Sequence, residues 1–179
     1  FNIGSSSGGF YWPRLRTDAS VSRRWLPGRN LVTTVGVTYF DAKDIHSDTG
    51  FNAEAVWYSA SKWIVQAGTT YNLSHPGAVG SASGYVALSH AENGKRIVTA
   101  RLGGGEQAYQ PFADNGFNVG ISFGELRVSC KQWLGKHWGV NVAASSYLSS
   151  TYDQHGLELG LVNVAASSYL SSTYDQHGL

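Results

Sequence analysis

His46, His75 and His155, together with Asp44, Asp48 and Asp153, are the side chains best suited to acid–base or metal chemistry. A zinc site draws on ligands at close, defined spacings, and no His-x-His or His-x-x-x-His pair exists here. These groups therefore read as solvated residues of polar connections. Cys130 is the sole cysteine, so no intrachain disulfide forms. A nucleophilic thiol needs a base and a group to orient that base, and neither stands near it in sequence. It reads as a small apolar residue, buried or facing lipid. No Gly-x-Ser-x-Gly elbow is present. The run Gly103-Gly104-Gly105 is followed by no Lys-Ser/Thr and opens no helix, so it is not a phosphate loop; glycines there let a strand bend. Asn72-Leu73-Ser74 fits a glycosylation sequon, which is irrelevant in the compartment argued below. The expectation is a protein that is not an enzyme, with no catalytic, metal or cofactor-binding residue and no cofactor.

The elements that carry these residues are strands. Leu15, Thr17, Ala19 and Val21 alternate with Arg16, Asp18, Ser20 and Ser22, giving one apolar or small face and one polar face. The same period of two runs through Leu31–Tyr39, Phe51–Trp57, Trp63–Tyr71, Val98–Leu102 and Val140–Ala144. No segment holds a 3.6-residue period over two turns, and no apolar run of about 18 residues offers a transmembrane helix. Tight turns fall at 26–30, 60–62, 92–95 and 134–137, with Asn93-Gly94 a strong hairpin signal. Longer polar connections are expected at 43–50, 74–81, 110–116 and 149–156. Short turns at one end of long strands and longer loops at the other are the pattern of an outer-membrane barrel.

Composition agrees. Charged residues make up 14% of the 179 residues and the net charge is +1, whereas soluble domains carry about 25% charged residues. The near-neutral balance excludes a nucleic-acid partner, which calls for a basic excess. Aromatics reach 13%, with six Trp and ten Tyr. Trp25, Trp63, Trp133 and Trp138 flank the short turns, while Tyr39, Tyr71, Tyr109 and Tyr147 lie toward the longer loops. Trp and Tyr favour the headgroup level, because the ring is apolar and its N–H or O–H seeks a wet partner. These eight are the expected membrane-interface aromatics. Val21, Val35, Val37, Val65, Val98, Leu102, Val140 and Val142 are expected to face lipid. Arg16, Asp18, Arg24, Glu54, Arg101, Glu106 and Arg127 are expected to face the lumen, where a basic residue avoids a cost of about 2–4 kcal/mol at the bilayer midplane.

Residues 162–179 repeat 140–157 without a difference. Solenoid repeats diverge and run through several copies, so the copy is set aside as an artefact or an extra strand. Nine strands are expected up to Leu161. Nine is odd, whereas bacterial single-chain barrels are even and closed. The domain 1–161 is therefore expected to be the C-terminal portion of a larger barrel, incomplete at the N-terminus. The chain opens at Phe1 with no methionine and no signal-peptide pattern, the expectation for a mature or truncated product.

Several short patterns occur in a defined order: Arg14-x-Arg16-x-Asp18 into Leu26-Pro27, Val37-x-Tyr39, Ala55-x-Trp57-Tyr58, and Tyr71-x-x-Ser74-x-Pro76-Gly77. They continue with Arg101-x-Gly103-x-Gly105-Glu106-x-x-Tyr109, Gln132-Trp133-Leu134, Trp138-Gly139 and Tyr152-x-x-x-Gly156-Leu157. With these, the stretch from Arg14 to Leu161 resembles the YaiO-like family of outer-membrane β-barrels. The resemblance implies an all-β, antiparallel transmembrane barrel in the bacterial outer membrane. Its implied partners are outer-membrane lipids and polysaccharide or periplasmic export components. The role expected is a porin-like conduit or a membrane anchor linked to exopolysaccharide export in a Gram-negative cell. The alternative is a plugged scaffold barrel whose loops bind partners or phage, without transport.

Overall fold

The computed structural model describes residues 1–7, 13–92, 94–109 and 119–163. Among these residues ten strands follow one another: β1 (Asn2–Gly4), β2 (Leu15–Trp25), β3 (Leu31–Asp41), β4 (Ser47–Tyr58), β5 (Trp63–His75), β6 (Val79–Glu92), β7 (Arg96–Tyr109), β8 (Val119–Trp133), β9 (Trp138–Ser149) and β10 (Asp153–Asn163). All pair antiparallel with their sequence neighbours in a single sheet. There is no helix among the described residues, and no pairing there joins β10 back to β1 or β2. The all-β antiparallel expectation is met. From β2 on, the strands hold 11 to 15 residues. At about 3.3 Å per residue and a tilt of about 45°, that covers about 25–35 Å, matching a hydrocarbon core of about 30 Å.

Register carries the two-faced pattern across the sheet. Val21 lies opposite Val35, and Val35 opposite Ala53. Farther along, Val65, Leu88, Ala100, Val128, Ala144 and Leu157 form one continuous cross-strand row. This apolar face is open: Val21 is 72% exposed, Val35 60% and Leu102 58%. Among the described residues, those that are buried are all small and all on the other face: Gly50, Ser81, Ala87, Gly139 and Ala143. Such asymmetry means the sheet curls around its polar face. A soluble domain would bury the valines and leucines instead.

The connections at the end opposite the tight turns are shorter than expected. Among the described ones they cover only 42–46, 76–78 and 150–152. Ser47–Gly50 continue β4, with Asp48 opposite Ser74 and Gly50 opposite Asn72. Polar composition suggests a loop there, but the backbone ladder continues and neighbouring strands satisfy its N–H and C=O groups. His75 and His155 accordingly lie in β5 and β10, not in loops. The segment 110–118 lies outside the described residues. β10 runs through Asn163, two residues into the copied segment; the remainder of the copy, 164–179, also lies outside them.

Candidate functional site: the polar inner face

The inner face is built by alternation. β4 contributes Glu54, β5 Gln66, β6 Tyr85, β7 Arg101, β8 Glu125 and Arg127, and β10 Glu158. The Tyr85 hydroxyl donates to Glu54 Oε2, reaching over β5 in a short hydrogen bond. The Gln66 amide donates to the same carboxylate oxygen at 2.8 Å and to the Tyr85 hydroxyl at 2.9 Å. Tyr85 can lie this way because Gly68 is beneath it: a Cβ there would stand 2.6 Å from the ring edge.

Arg101 stacks on Tyr85, its guanidinium carbon 3.8 Å from the ring centroid. Its Nε is 3.1 Å from Glu125 Oε1. The angle there falls short of a hydrogen bond, so this contact is an ion pair held by charge. Gly103 makes room for that carboxylate, since a Cβ would sit 2.6 Å from Glu125 Oε1. Arg101 is the direct cross-strand partner of Arg127. Like charges so placed repel, and each is neutralised separately. Arg127 donates to both oxygens of Glu158, at 2.8 and 2.5 Å. Nearer the other end of β2, Arg16 donates to Asp18 at 3.1 Å, and Asp18 accepts from Thr38 at 2.9 Å.

Between Tyr85–Arg101 and the Phe123–Tyr147 pair lies a cleft of about 230 Å³, lined also by Thr69, Thr70, Ser83, Gly84 and Glu125. Phe123 stacks on Tyr147 at 5.2 Å, and Tyr147 on Tyr152 at 5.5 Å. The Tyr147 hydroxyl is buried and meets no hydrogen-bond partner in this structure. A wall of tyrosine, hydroxyl and mutually neutralised charge offers hydrogen bonds and ring faces without net charge.

The expected inward residues Arg16, Asp18, Glu54, Arg101 and Arg127 all belong to this polar face, and Arg24 follows the same parity opposite Val32. Glu106 does not: it pairs with Ser122, on the parity of Leu102 and Leu126, and is exposed. It lies beyond Gly105, where β6 stops pairing with β7. Among the expected interface aromatics, Trp25, Trp63, Trp138, Tyr39 and Tyr71 are exposed on the apolar face. Trp133 and Tyr147 instead follow inner parity, Trp133 beside Lys131 and Tyr147 in the stack. Position at a strand end does not decide the face; the count from the nearest outward residue does. The side chain of Tyr109 lies outside the described ones. Sequence reasoning missed Gln66, Tyr85, Phe123 and Glu125. The alternation Phe123, Glu125, Arg127 against Gly124, Leu126, Val128 is the signal that marks the last two.

Away from the strands' central parts, Asp44 caps the 42–46 connection. Its Oδ1 accepts from the His46 backbone N–H at 2.8 Å, and its Oδ2 lies 2.6 Å from His46 Nδ1. Those bonds, the backbone one first, hold its carboxyl below the usual carboxylate range. No group of three His, Cys, Asp or Glu side chains among the described residues could hold a metal ion. Cys130 pairs with Val98 and Val142 on the apolar side, half-buried.

In comparison with known families, residues 1–110 fit the model described as the YaiO membrane beta barrel domain. No curated protein and no solved structure matches the chain.

Proposed function

Because the chain belongs to the YaiO membrane beta barrel domain family, we propose that it is a bacterial outer-membrane barrel. In this reading its apolar face meets lipid, and its inner face, including Arg16, Asp18, Arg24, Glu54, Arg101 and Arg127, lines a conduit for polar, uncharged solutes. The observation that carries this is how the inner charges are paired. Every bond of the Glu54–Gln66–Tyr85 group, the Arg101–Glu125 pair and the Arg127–Glu158 pair joins strands at most two apart in the sheet. Side chains tied along a wall leave the space in front of it free, whereas a plug is built from pairs that reach across. Hydroxyl and ring surfaces beside neutralised charge suit a saccharide chain, and export of such a chain is the use we infer.

The test is electrical. The full chain, inserted in planar bilayers and running with heat-modifiable mobility, is expected to give discrete conductance steps that added oligosaccharide reduces. Folded, inserted protein without conductance would overturn the conduit and leave the plugged scaffold.

A further inference from the structure

The two ends of the sheet differ in charge. Each of the four short turns carries one cation: Arg29, Lys62, Lys95 and Lys136. Arg23 and Arg96 add two more on outward-facing strand positions next to those turns. Among the described residues at this end the only acid is Glu92, bonded to Arg96 at 2.5 Å. At the opposite end the described connections hold one cation and one acid, Lys43 and Asp44, and the adjoining strand ends set Asp41, Asp48 and Asp153 against Arg14 and Arg16, with Arg14 bonded to Asp41 at 2.7 Å, so positive charge is not in excess there.

The basic end is also the tryptophan end. Trp25, Trp57, Trp63 and Trp138 are all exposed there on the apolar face. The Arg23 guanidinium carbon lies 3.9 Å above the Trp25 ring, and the Trp25 indole N–H donates to Thr33 at 2.7 Å. A ring that is apolar on its lipid side and covered by a cation on the other is suited to the boundary between acyl chain and phosphate.

We propose that this end is a collar for anionic phospholipid headgroups, with the phosphate as the group recognised. The inference rests on the membrane reading above. Two features point to lipid rather than a soluble acidic ligand. The cations recur once per hairpin, and hairpins are spaced about 10 Å apart along a sheet, so they follow a line at one strand end and do not converge on a pocket. Arg23 and Arg96 also stand on the lipid-side parity, outside the inner face altogether. A line of single positive charges at a bilayer surface attracts an anionic leaflet and is screened by salt.

The test reconstitutes the full chain in phosphatidylcholine bilayers doped with spin-labelled phosphatidylglycerol or spin-labelled phosphatidylcholine, and compares the motionally restricted fraction of each. A preference of roughly two- to five-fold for the anionic lipid is expected, falling toward one in 1 M salt. The variant R29Q/K62Q/K95Q/K136Q is expected to lose most of it. Heat-modifiable mobility and bilayer insertion are followed in parallel. Their loss in the parent chain would count against the barrel reading itself, separately from the collar. Equal association of the two lipids with inserted protein would overturn the collar. So would a preference that survives in the inserted quadruple variant, or one abolished equally well by soluble glycerol phosphate at millimolar concentration.

Discussion

The Arg127 guanidinium on β8 reaches over β9 and donates to both carboxylate oxygens of Glu158 on β10, at 2.8 and 2.5 Å. Its cross-strand neighbour Arg101 is neutralised by a different carboxylate, Glu125. Removing one acid therefore leaves one positive charge on the inner wall. Glu158→Gln is expected to shift the reversal potential under a salt gradient toward anion selectivity, and Arg127→Gln toward cation selectivity. Both partners are partly exposed, so the stability change should stay within about 1 kcal/mol. Identical selectivity in both variants would show that this pair does not face the conducted path.

Gly68 and Tyr85 offer a packing test. Gly68→Ala puts a methyl where the Tyr85 ring edge lies, 2.6 Å away, and must push the phenol off Glu54. A loss of about 1–3 kcal/mol is expected, the usual range for overpacking. In the Tyr85→Ala background the same substitution should cost much less. A double-mutant cycle by urea titration in lipid reads the coupling. Additive effects would mean that Tyr85 does not occupy that space.

How far this architecture is legible in sequence depends on the residue type doing the signalling. The alternation around Val21, Val35, Val65 and Leu102 is readable, because an outward valine or leucine and an inward polar residue repeat at period two. The connections are not: Ser47–Gly50, Ser74 and Asp153 are polar, yet they extend strands past the apolar band, where polar side chains carry no cost. Trp133 and Tyr147 show the same limit for faces, since aromatic type marks strand ends but only parity marks the side. The Tyr85 network escaped because its members are scattered over β4 to β7, and only register brings them together. The clefts left by Gly68 and Gly103 are equally invisible until a neighbouring strand's side chain is known to fill them.

Charge placed on the two faces of β5 should have unequal effects. Ala67 is outward between Ala55 and Val86, and Thr70 is inward between Asn52 and Ser83. Ala67→Arg near the middle of the strand is expected to cost about 2–4 kcal/mol of stability in lipid. Thr70→Arg is expected to cost well under half of that. Equal costs, measured by reversible denaturant unfolding, would remove the distinction between the faces.

The Asp44 cap gives a pH dependence with a fixed sign. Its folded carboxyl is held low by the His46 N–H and ring, against an unfolded value of about 3.9. The stabilisation of the 42–46 connection is therefore full above the unfolded value and disappears as pH falls through the lower folded value. Proteolysis of that connection should rise on acidification below about pH 4 in the parent chain. Asp44→Asn should be susceptible at every pH, with no such step. A parent chain whose susceptibility is flat with pH would rule the cap out.

The central claim is that successive residues of one strand face lipid and a polar interior in turn, and collision accessibility of nitroxide labels reads it directly. Single cysteines at Val98, Thr99, Ala100 and Leu102, in a Cys130→Ala chain reconstituted in bilayers, are labelled and exposed to oxygen or to a water-soluble nickel complex. Oxygen accessibility is expected to be high at Val98, Ala100 and Leu102 and low at Thr99, with the nickel complex showing the reverse. The same phase at all four positions, or nickel maxima at the valine and leucine sites, would contradict a membrane-spanning sheet with its polar face inside.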